Sequence, residues 1–187
     1  INLTTQIGNG ANISAITKIP VVCDFRSTDV ALGGQGAPLV PIGDKNLFSE
    51  YDYCINLGGI ANISYTNNLT RIAFDICPVN IVLNKLAQEL GKPYDKNGDL
   101  AQSGKIDFSL LEELNNLDYY KKTAPKSLGI EQIEDTVFPI INTYKISTKE
   151  KLRTFLEHIS IQISKTITSE NKKVLLTGGG TFNTYLI

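Results

Sequence analysis

The chain has 187 residues, a formal net charge of −1 and 42% hydrophobic residues, which is enough for one large domain or two small lobes with a packed core. It lacks the basic stripe of a nucleic-acid-binding protein and any apolar run long enough to cross a bilayer. Three widely spaced cysteines, Cys23, Cys54 and Cys77, favour free buried thiols in a cytoplasmic protein over a disulfide framework or a metal site. The chain has no Met and begins with Ile1, so we expect a fragment or a processed chain.

The first fifty residues predict short elements separated by glycine and proline. Residues 3–7 and 21–25 suit short strands, and residues 11–16 suit a short helix. Ser27 is predicted to cap a second helix that ends at Ala31. The stretch 33–38 contains three glycines and a proline, so it should be irregular, either as a connector or as a loop that brings backbone close to a ligand.

The most informative stretch is an apolar run that ends at Gly58-Gly59, turns back, and returns through residues 72–74 to Asp75. Glycines lack a Cβ, so their backbone N–H groups can approach an anion closely. A carboxylate at the carboxyl end of a buried strand is a common position for a catalytic group in α/β proteins. We interpret this stretch as a phosphate-binding hairpin with a general base beside it. An ordinary hairpin with a capping Asp is an equally supported alternative.

A helix is predicted to follow, from Pro78 to Leu90, with Gly91 as its stop signal. Its apolar residues recur on one face at helical spacing. Asp75 would then lie one short turn before the helix N-terminus. The free N–H donors and partial positive charge of that end favour a bound phosphate.

The second half predicts mostly helices. Residues 92–104 are predicted to form a loop, Asp107 to cap a helix that runs to Asn115, and residues 133–142 to be helical. Ser147 and Glu150 make a capping box that begins the clearest helix, over residues 147–169.

Two side chains of this half are predicted to be solvated. His158 lies off the apolar stripe of the long helix, and Lys126 belongs to a basic cluster. Residues 173–177 form a last strand that ends in Gly178–Gly180, so two glycine turns follow strands. This pair favours a nucleotide held across a cleft, while Walker A, GxSxG and zinc-ligand patterns are absent from the sequence. The order of elements predicts an α/β protein with a mixed sheet flanked by helices.

Seven segments occur in a specific order along the chain: Asp24–Ala31, Gly33–Pro41, Asn56–Ser64, Tyr94–Gly98, Ser103–Lys105, Pro125–Ser127 and Gly178–Gly180. This set closely resembles the anhydro-N-acetylmuramic acid kinase family. The resemblance covers the whole chain but only about half of a family member. It implies part of an actin-like (ribonuclease H-like) ATPase fold, in which residues 1–50 complete a first lobe and residues 51–187 form most of a second.

Members of that family use ATP and Mg²⁺ to open the ring of 1,6-anhydro-N-acetylmuramic acid with water and to phosphorylate O6. The product is N-acetylmuramic acid 6-phosphate, in cell-wall recycling. The resemblance therefore implies a cytoplasmic sugar kinase with a small-molecule sugar substrate, with no nucleic-acid or membrane partner, and compatible with a homodimer. The fragment alone would be inactive.

The resemblance also implies roles for individual residues. Asp75 matches the family's catalytic Asp and would deprotonate the attacking water. The residues expected near the nucleotide and its phosphates are Gly58, Gly59, Asn62, Asn80, Gly178, Gly179 and Gly180. The residues expected on the sugar side are Asp24, Arg26 and Gln35. No side chain is expected to form a metal site of its own.

The chain departs from the family at the motif Asp-Thr-Gly-Pro-Gly-Asn, where it has Ile76, Cys77 and Val79 in place of the threonine and both glycines. If the backbone there needs a positive φ or a close phosphate approach, Cys77 and Val79 would resist it. A non-catalytic relative that binds the anhydro-sugar or a nucleotide is therefore the alternative function. A third is another actin-like kinase with a different substrate.

Overall fold

The computed structural model describes residues 8–33, 36, 38–168 and 170–187, so the strand predicted over residues 3–7 lies outside the described residues. The chain divides into two compact units, Ile1–Val40 and Pro41–Ile187. In the first unit, helix α1 spans Gly10–Thr17 and helix α2 spans Phe25–Ala31. Helix α3, Val40–Leu47, begins at the boundary.

The first unit is more helical than the sequence predicts. Helix α1 confirms the helix expected over residues 11–16. The strand expected over residues 21–25 is wrong, because residues 21–24 are irregular and α2 begins at Phe25. Asp24 precedes α2 with a φ of 65°, a left-handed conformation that a strand excludes. The predicted Ser27 cap is also wrong, because Ser27 lies inside α2.

Within the described residues of the second unit, four strands form one mixed sheet in the order β3-β2-β1-β4. The strands are β1 (Tyr53–Leu57), β2 (Ile60–Asn67), β3 (Thr70–Pro78) and β4 (Val174–Thr177). Strand β2 is antiparallel to both β1 and β3, whereas β4 runs parallel to β1. The mixed sheet that the sequence predicts is therefore confirmed.

Helices cover the apolar face of this sheet. Along β1 and β2, Ile55, Leu57, Ala61 and Ile63 alternate with polar residues and are almost completely buried. The helices of this unit after β3 are α4 (Asn80–Glu89), α5 (Asp99–Gln102), α6 (Phe108–Asn115), α7 (Asp118–Lys121), α8 (Ile130–Gln132), α9 (Phe138–Thr143) and α10 (Thr148–Ser164). A π-helical turn, Ile133–Val137, joins α8 to α9. Helix α10 packs against α4, α5, α6 and β3, which puts it at the centre of the core.

The strongest helix signals are confirmed. Asp107 caps α6 by accepting the N–H of Leu110 at 2.8 Å, and Ser147 and Glu150 form the expected capping box of α10. The loop predicted over residues 92–104 is wrong in part, because it contains α5 and a 3₁₀ turn, Lys96–Gly98. No helix among the described residues combines the length and the apolar character needed to cross a membrane.

His158 is buried, contrary to the prediction of a surface position. Its Nδ1 lies 2.8 Å from Oδ1 of Asn115 and its Nε2 lies 2.8 Å from the hydroxyl of Tyr120. Gln162, one turn later, donates to the same Asn115 oxygen at 2.6 Å. Helix α10 thus has a second buried face. Its polar side chains hydrogen-bond to the end of α6. The apolar stripe alone does not show this face.

Acid should destabilise the protein through His158. Burial lowers the pKa of His158 from 6.5 to about 3, so between these values the unfolded chain binds a proton that the folded chain does not. Stability is therefore highest above the unfolded-state pKa, and the free energy of unfolding should fall by about 2 kcal/mol from pH 7 to pH 5. Urea unfolding measures this slope. His158→Gln, which does not titrate, should flatten it, and equal slopes would contradict the prediction.

Candidate functional site

The two glycine turns meet at one edge of the sheet. Gly58-Gly59 follows β1 and Gly178–Gly180 follows β4, and these strands are parallel, so their carboxyl ends lie side by side. A Cβ on Gly178 would come within 2.8 Å of the carbonyl carbon and oxygen of Leu57, and one on Gly180 within 2.7 Å of the Leu57 Cβ. Segments 120 positions apart therefore pack directly together.

The start of helix α4 is tied to the first of these turns. The amide groups of Val79 and Ile81 donate to the carbonyl of Gly59, at 2.8 and 3.2 Å, and that of Asn80 to the carbonyl of Gly58 at 3.3 Å. Nδ2 of Asn80 also donates to Gly58 at 2.8 Å. The expectation of free N–H donors at this helix end is therefore wrong for these three amides. An anion here would meet the turn's own N–H groups, and Gly59 is exposed.

Asp75 lies inside strand β3, not at its carboxyl end. The strand continues to Pro78, so the predicted position one short turn before α4 is also wrong. The register against β2 passes from Cys77 opposite Ala61 to Asp75 opposite Asn62, which makes Ile76 the extra residue of a β-bulge. Bulges redirect side chains, and this one places Asp75 on the opposite face of the sheet from Cys77.

Asp75 belongs to a polar row that crosses the whole sheet. The aligned residues are Thr177 on β4, Asn56 on β1, Asn62 on β2 and Asp75 on β3. Residues directly opposite on neighbouring strands project from the same face. The face opposite the helical core therefore carries polar side chains from the glycine turns to Asp75.

The carboxylate of Asp75 is half-buried and held at one oxygen. Oδ2 accepts the N–H of Leu128 at 2.8 Å, and Oδ1 accepts no hydrogen bond from the described residues. Burial raises the pKa of Asp75, and the Leu128 bond partly opposes that shift. A carboxylate with a raised pKa and one free oxygen can accept a proton from a nearby water.

Asn56 is the site residue that the sequence prediction missed. Its Oδ1 touches the position that a Cβ on Gly178 would take, and its Nδ2 lies 3.1 Å from the corresponding position on Gly58. Its side chain therefore stands between the two glycine turns and in the row that leads to Asp75. The available signal was a polar residue inside an apolar strand, two positions before a Gly-Gly turn.

Two clefts flank the first half of α4 and share Asn80 and Asn84. One, of about 490 Å³, opens beside Gly59. The other, of about 290 Å³, is lined by Gly179 and Gly180 and by the loop from Tyr94 to Asn97. Asp75 lines neither cleft. The polar row across the sheet is what connects it to the glycine turns.

In the first unit, Asp24 and Arg26 line one cavity of about 840 Å³. A guanidinium nitrogen of Arg26 donates to the carbonyl of Gly36 at 2.6 Å, so this cation supports the chain beside the cavity. The third residue expected on the sugar side, Gln35, lies outside the described residues.

The backbone at Cys77 and Val79 is not left-handed in this chain. Val79 has a φ of −129°, and neither residue is among the described residues with positive φ. Both side chains are fully buried in the core. The replaced glycines therefore impose no left-handed backbone here.

Among the described residues, no group of three or more His, Cys, Asp and Glu side chains could hold a metal ion.

Alanine should be destabilising at Gly178 and tolerated at Gly179. Gly178 has a φ of 87° and its Cβ would collide with Leu57, whereas the nearest atom to a Cβ on Gly179 is Asn80 Nδ2 at 4.0 Å. We expect Gly178→Ala to lower the free energy of unfolding by about 2 kcal/mol or more, and Gly179→Ala to change it by less than about 0.5 kcal/mol. Denaturant titration measures both, and similar values would contradict the packing described above.

The family model described as Anhydro-N-acetylmuramic acid kinase matches residues 1–187. A curated relative of that name from Shewanella loihica is 36% identical over 198 residues, covering 100% of this chain and 53% of the relative. Another, from Vibrio parahaemolyticus, is 36% identical over 194 residues, covering 98% and 52% respectively. A third, from Sulfurovum, is 35% identical over 190 residues, covering 97% and 53%.

The chain thus spans about half the length of the curated relatives it matches. The match to the family model extends over every residue of the chain. The chain belongs to the anhydro-N-acetylmuramic acid kinase family.

Proposed function

We propose that the complete protein is an ATP-dependent kinase that opens 1,6-anhydro-N-acetylmuramic acid with water and phosphorylates O6, giving N-acetylmuramic acid 6-phosphate. The observation that carries this proposal is the polar row from the glycine turns to Asp75. The choice of sugar substrate rests on the family, because the relatives are named as kinases for this sugar.

The nucleotide is assigned to the edge where the glycine turns meet. The exposed Gly59 and Gly179 leave room for a ligand to approach backbone N–H groups. Gly58, Asn62 and Asn80 complete the phosphate side, and Gly178 and Gly180 support the turn on the nucleoside side. ATP would supply the phosphoryl group, and Mg²⁺ would neutralise charge that develops on it. Because Mg²⁺ in kinases is held largely by phosphate oxygens and water, we assign no side chain to it.

Asp75 is assigned as the general base. Its free Oδ1 would take a proton from the water that attacks the anhydro ring, and the raised pKa brings the carboxylate closer to the proton affinity that this step needs. Its neighbour Asn62 lies directly opposite on β2 and can orient a water or a phosphate oxygen beside it.

The sugar is assigned to Asp24, Arg26 and Gln35, on the support of the family motif and of the cavity that Asp24 and Arg26 share. Residues 1–50 then complete the first lobe and residues 51–187 form most of the second. The homodimer and the cytoplasmic location both stay predictions. Sedimentation of the complete protein measures the oligomeric state.

Asp75→Asn in the complete protein should lower kcat about 10²–10⁴-fold, because an amide cannot accept the proton. Its KM for ATP should stay within about twofold, because the amide preserves shape. The assay follows ADP and sugar phosphate from 1,6-anhydro-N-acetylmuramic acid. Asp118→Asn, at an exposed carboxylate on α7, is the matched control. Wild-type kcat in Asp75→Asn would remove the base assignment, and sugar binding without turnover by the wild type would favour the non-catalytic relative.

Asn56→Asp should raise the KM for ATP at least about tenfold, because it places a negative charge between the two turns that are assigned to the phosphates. The KM for the sugar and the melting temperature should change little, since Asn and Asp have the same shape. Asn68→Asp, in the β2–β3 turn, adds the same charge away from the site. Equal KM values for ATP in the two variants would contradict the assignment of phosphates to this edge.

A further inference from the structure

The free edge of β3 is covered at Asp75 by one segment, residues 119–128, which we call the edge segment. Strand β3 is last in the sheet order, so β2 pairs with only one of its sides. On the other side the N–H of Asp75 donates to the carbonyl of Lys126 at 3.1 Å. The edge segment therefore makes one backbone hydrogen bond of the kind that joins neighbouring strands.

The next hydrogen bond departs from that pattern. In a parallel pair, the N–H and C=O of one residue bond to residues two positions apart on the neighbour, so the N–H of Leu128 would go to the carbonyl of Asp75. It donates instead to Oδ2 of the Asp75 side chain, at 2.8 Å. The hydroxyl of Tyr119 donates instead to the backbone carbonyl of Asp75, at 2.5 Å. The Leu128 amide is thus diverted from backbone to carboxylate, and the tyrosine takes its place.

Tyr119 is held firmly in this position. The residue is 5% exposed, and the ammonium group of Lys126 lies 4.7 Å from the centre of its ring. The same ammonium group lies 5.8 Å from the ring centre of Phe74 and donates to the carbonyl of Tyr119 at 3.4 Å. The expectation that Lys126 is a solvated surface residue is therefore wrong, because it packs between two aromatic rings. The Tyr119 hydroxyl points in a fixed direction as a result.

We propose that Tyr119 is a positioning residue for Asp75: by occupying the Asp75 carbonyl, its hydroxyl keeps the Leu128 N–H on Oδ2 and leaves Oδ1 free to take the proton from water. This inference rests on the proposed role of Asp75 as the base. Tyr119 itself stays protonated and touches neither the water nor the sugar in this scheme.

Loss of the hydroxyl has a defined electrostatic consequence. Without it, the Leu128 N–H can return to the Asp75 carbonyl, and the carboxylate loses the bond that opposes the effect of burial on its pKa. The pKa of Asp75 then rises further. Titratable groups on β3 and the edge segment around it include Tyr119, Cys77 and Lys126. Burial raises the pKa of the first two and lowers that of Lys126, so near neutral pH Tyr119 and Cys77 carry no charge.

The test compares Tyr119→Phe with Tyr120→Phe in the complete protein. Both remove one hydroxyl from adjacent rings, but that of Tyr120 bonds to His158. Tyr119→Phe should lower kcat about tenfold at neutral pH, because the carboxylate is no longer held at Oδ2 with Oδ1 toward the water. It should also move the acid limb of the kcat profile upward by about one pH unit, with the KM for ATP unchanged. Tyr120→Phe should leave the acid limb in place. An unshifted limb in Tyr119→Phe, or equal shifts in both variants, would overturn the inference.

A second measurement does not depend on the folding of either variant. In the wild-type protein, the amide proton of Leu128 should change its NMR shift with pH, at the midpoint of the acid limb, and Asp75→Asn should abolish this change. A Leu128 signal that does not follow the acid limb would overturn the inference. The base assignment is tested separately, since full activity in Asp75→Asn removes it. If Asp75→Asn is inactive but the acid limb of Tyr119→Phe does not shift, only the role of Tyr119 is removed.

Discussion

Parallel pairing of β1 with β4 is the constraint on which the candidate site depends. Two strands about 120 positions apart must align so that Asn56 faces Thr177, and only then do the glycine turns that follow them touch. Gly178 and Gly180 allow the two turns to approach closely because they have no side chain. A Cβ on either residue would collide with Leu57. The helices between the two strands in sequence pack around the core, and α10 in particular packs on α4 and β3.

The hydrogen bonds of Asn80 extend this constraint to helix α4. Its side-chain amide donates to the carbonyls of Leu57 and Gly58, and its backbone amide also donates to Gly58. The backbone bond satisfies a donor that a helix N-terminus normally leaves free. Together, the bonds of Asn80 also fix the carbonyls of the β1–β2 turn toward the helix. The outward side of the turn is then left for a ligand, which is the basis for assigning the phosphates to Gly58 and Gly59 themselves.

Local signals allowed much of the fold to be predicted. The capping box at Ser147 and the cap at Asp107 depend on neighbouring residues alone, and both are present in the structure. His158 could not be placed in this way, because its burial depends on Asn115 and Tyr120, which lie about 40 positions away. The strand expected over residues 21–25 failed for a different reason. A short apolar run does not distinguish a strand from an irregular segment that leads into a helix.

The candidate site was predictable in its composition and not in its geometry. The sequence identifies two glycine turns and Asp75, but the hydrogen bonds of α4 and the position of Asp75 within β3 depend on long-range pairing. Asn56 is a further example, since only the register between β1, β2 and β4 shows that it stands in the polar row.

The bulge at Ile76 determines the face of the sheet on which Cys77 lies, at a position where the family motif has a glycine. In a regular strand Asp75 and Cys77 would face the same side, because side chains alternate with a period of two. The extra residue turns Asp75 to the polar face and Cys77 to the core, opposite Ala61. Substitutions at Cys77 and Val79 therefore change the packing beneath the site and add no side chain to its polar face. The edge segment holds Asp75 in place through three hydrogen bonds. The Tyr119 hydroxyl and the Leu128 N–H donate to Asp75, and the Lys126 carbonyl accepts its N–H.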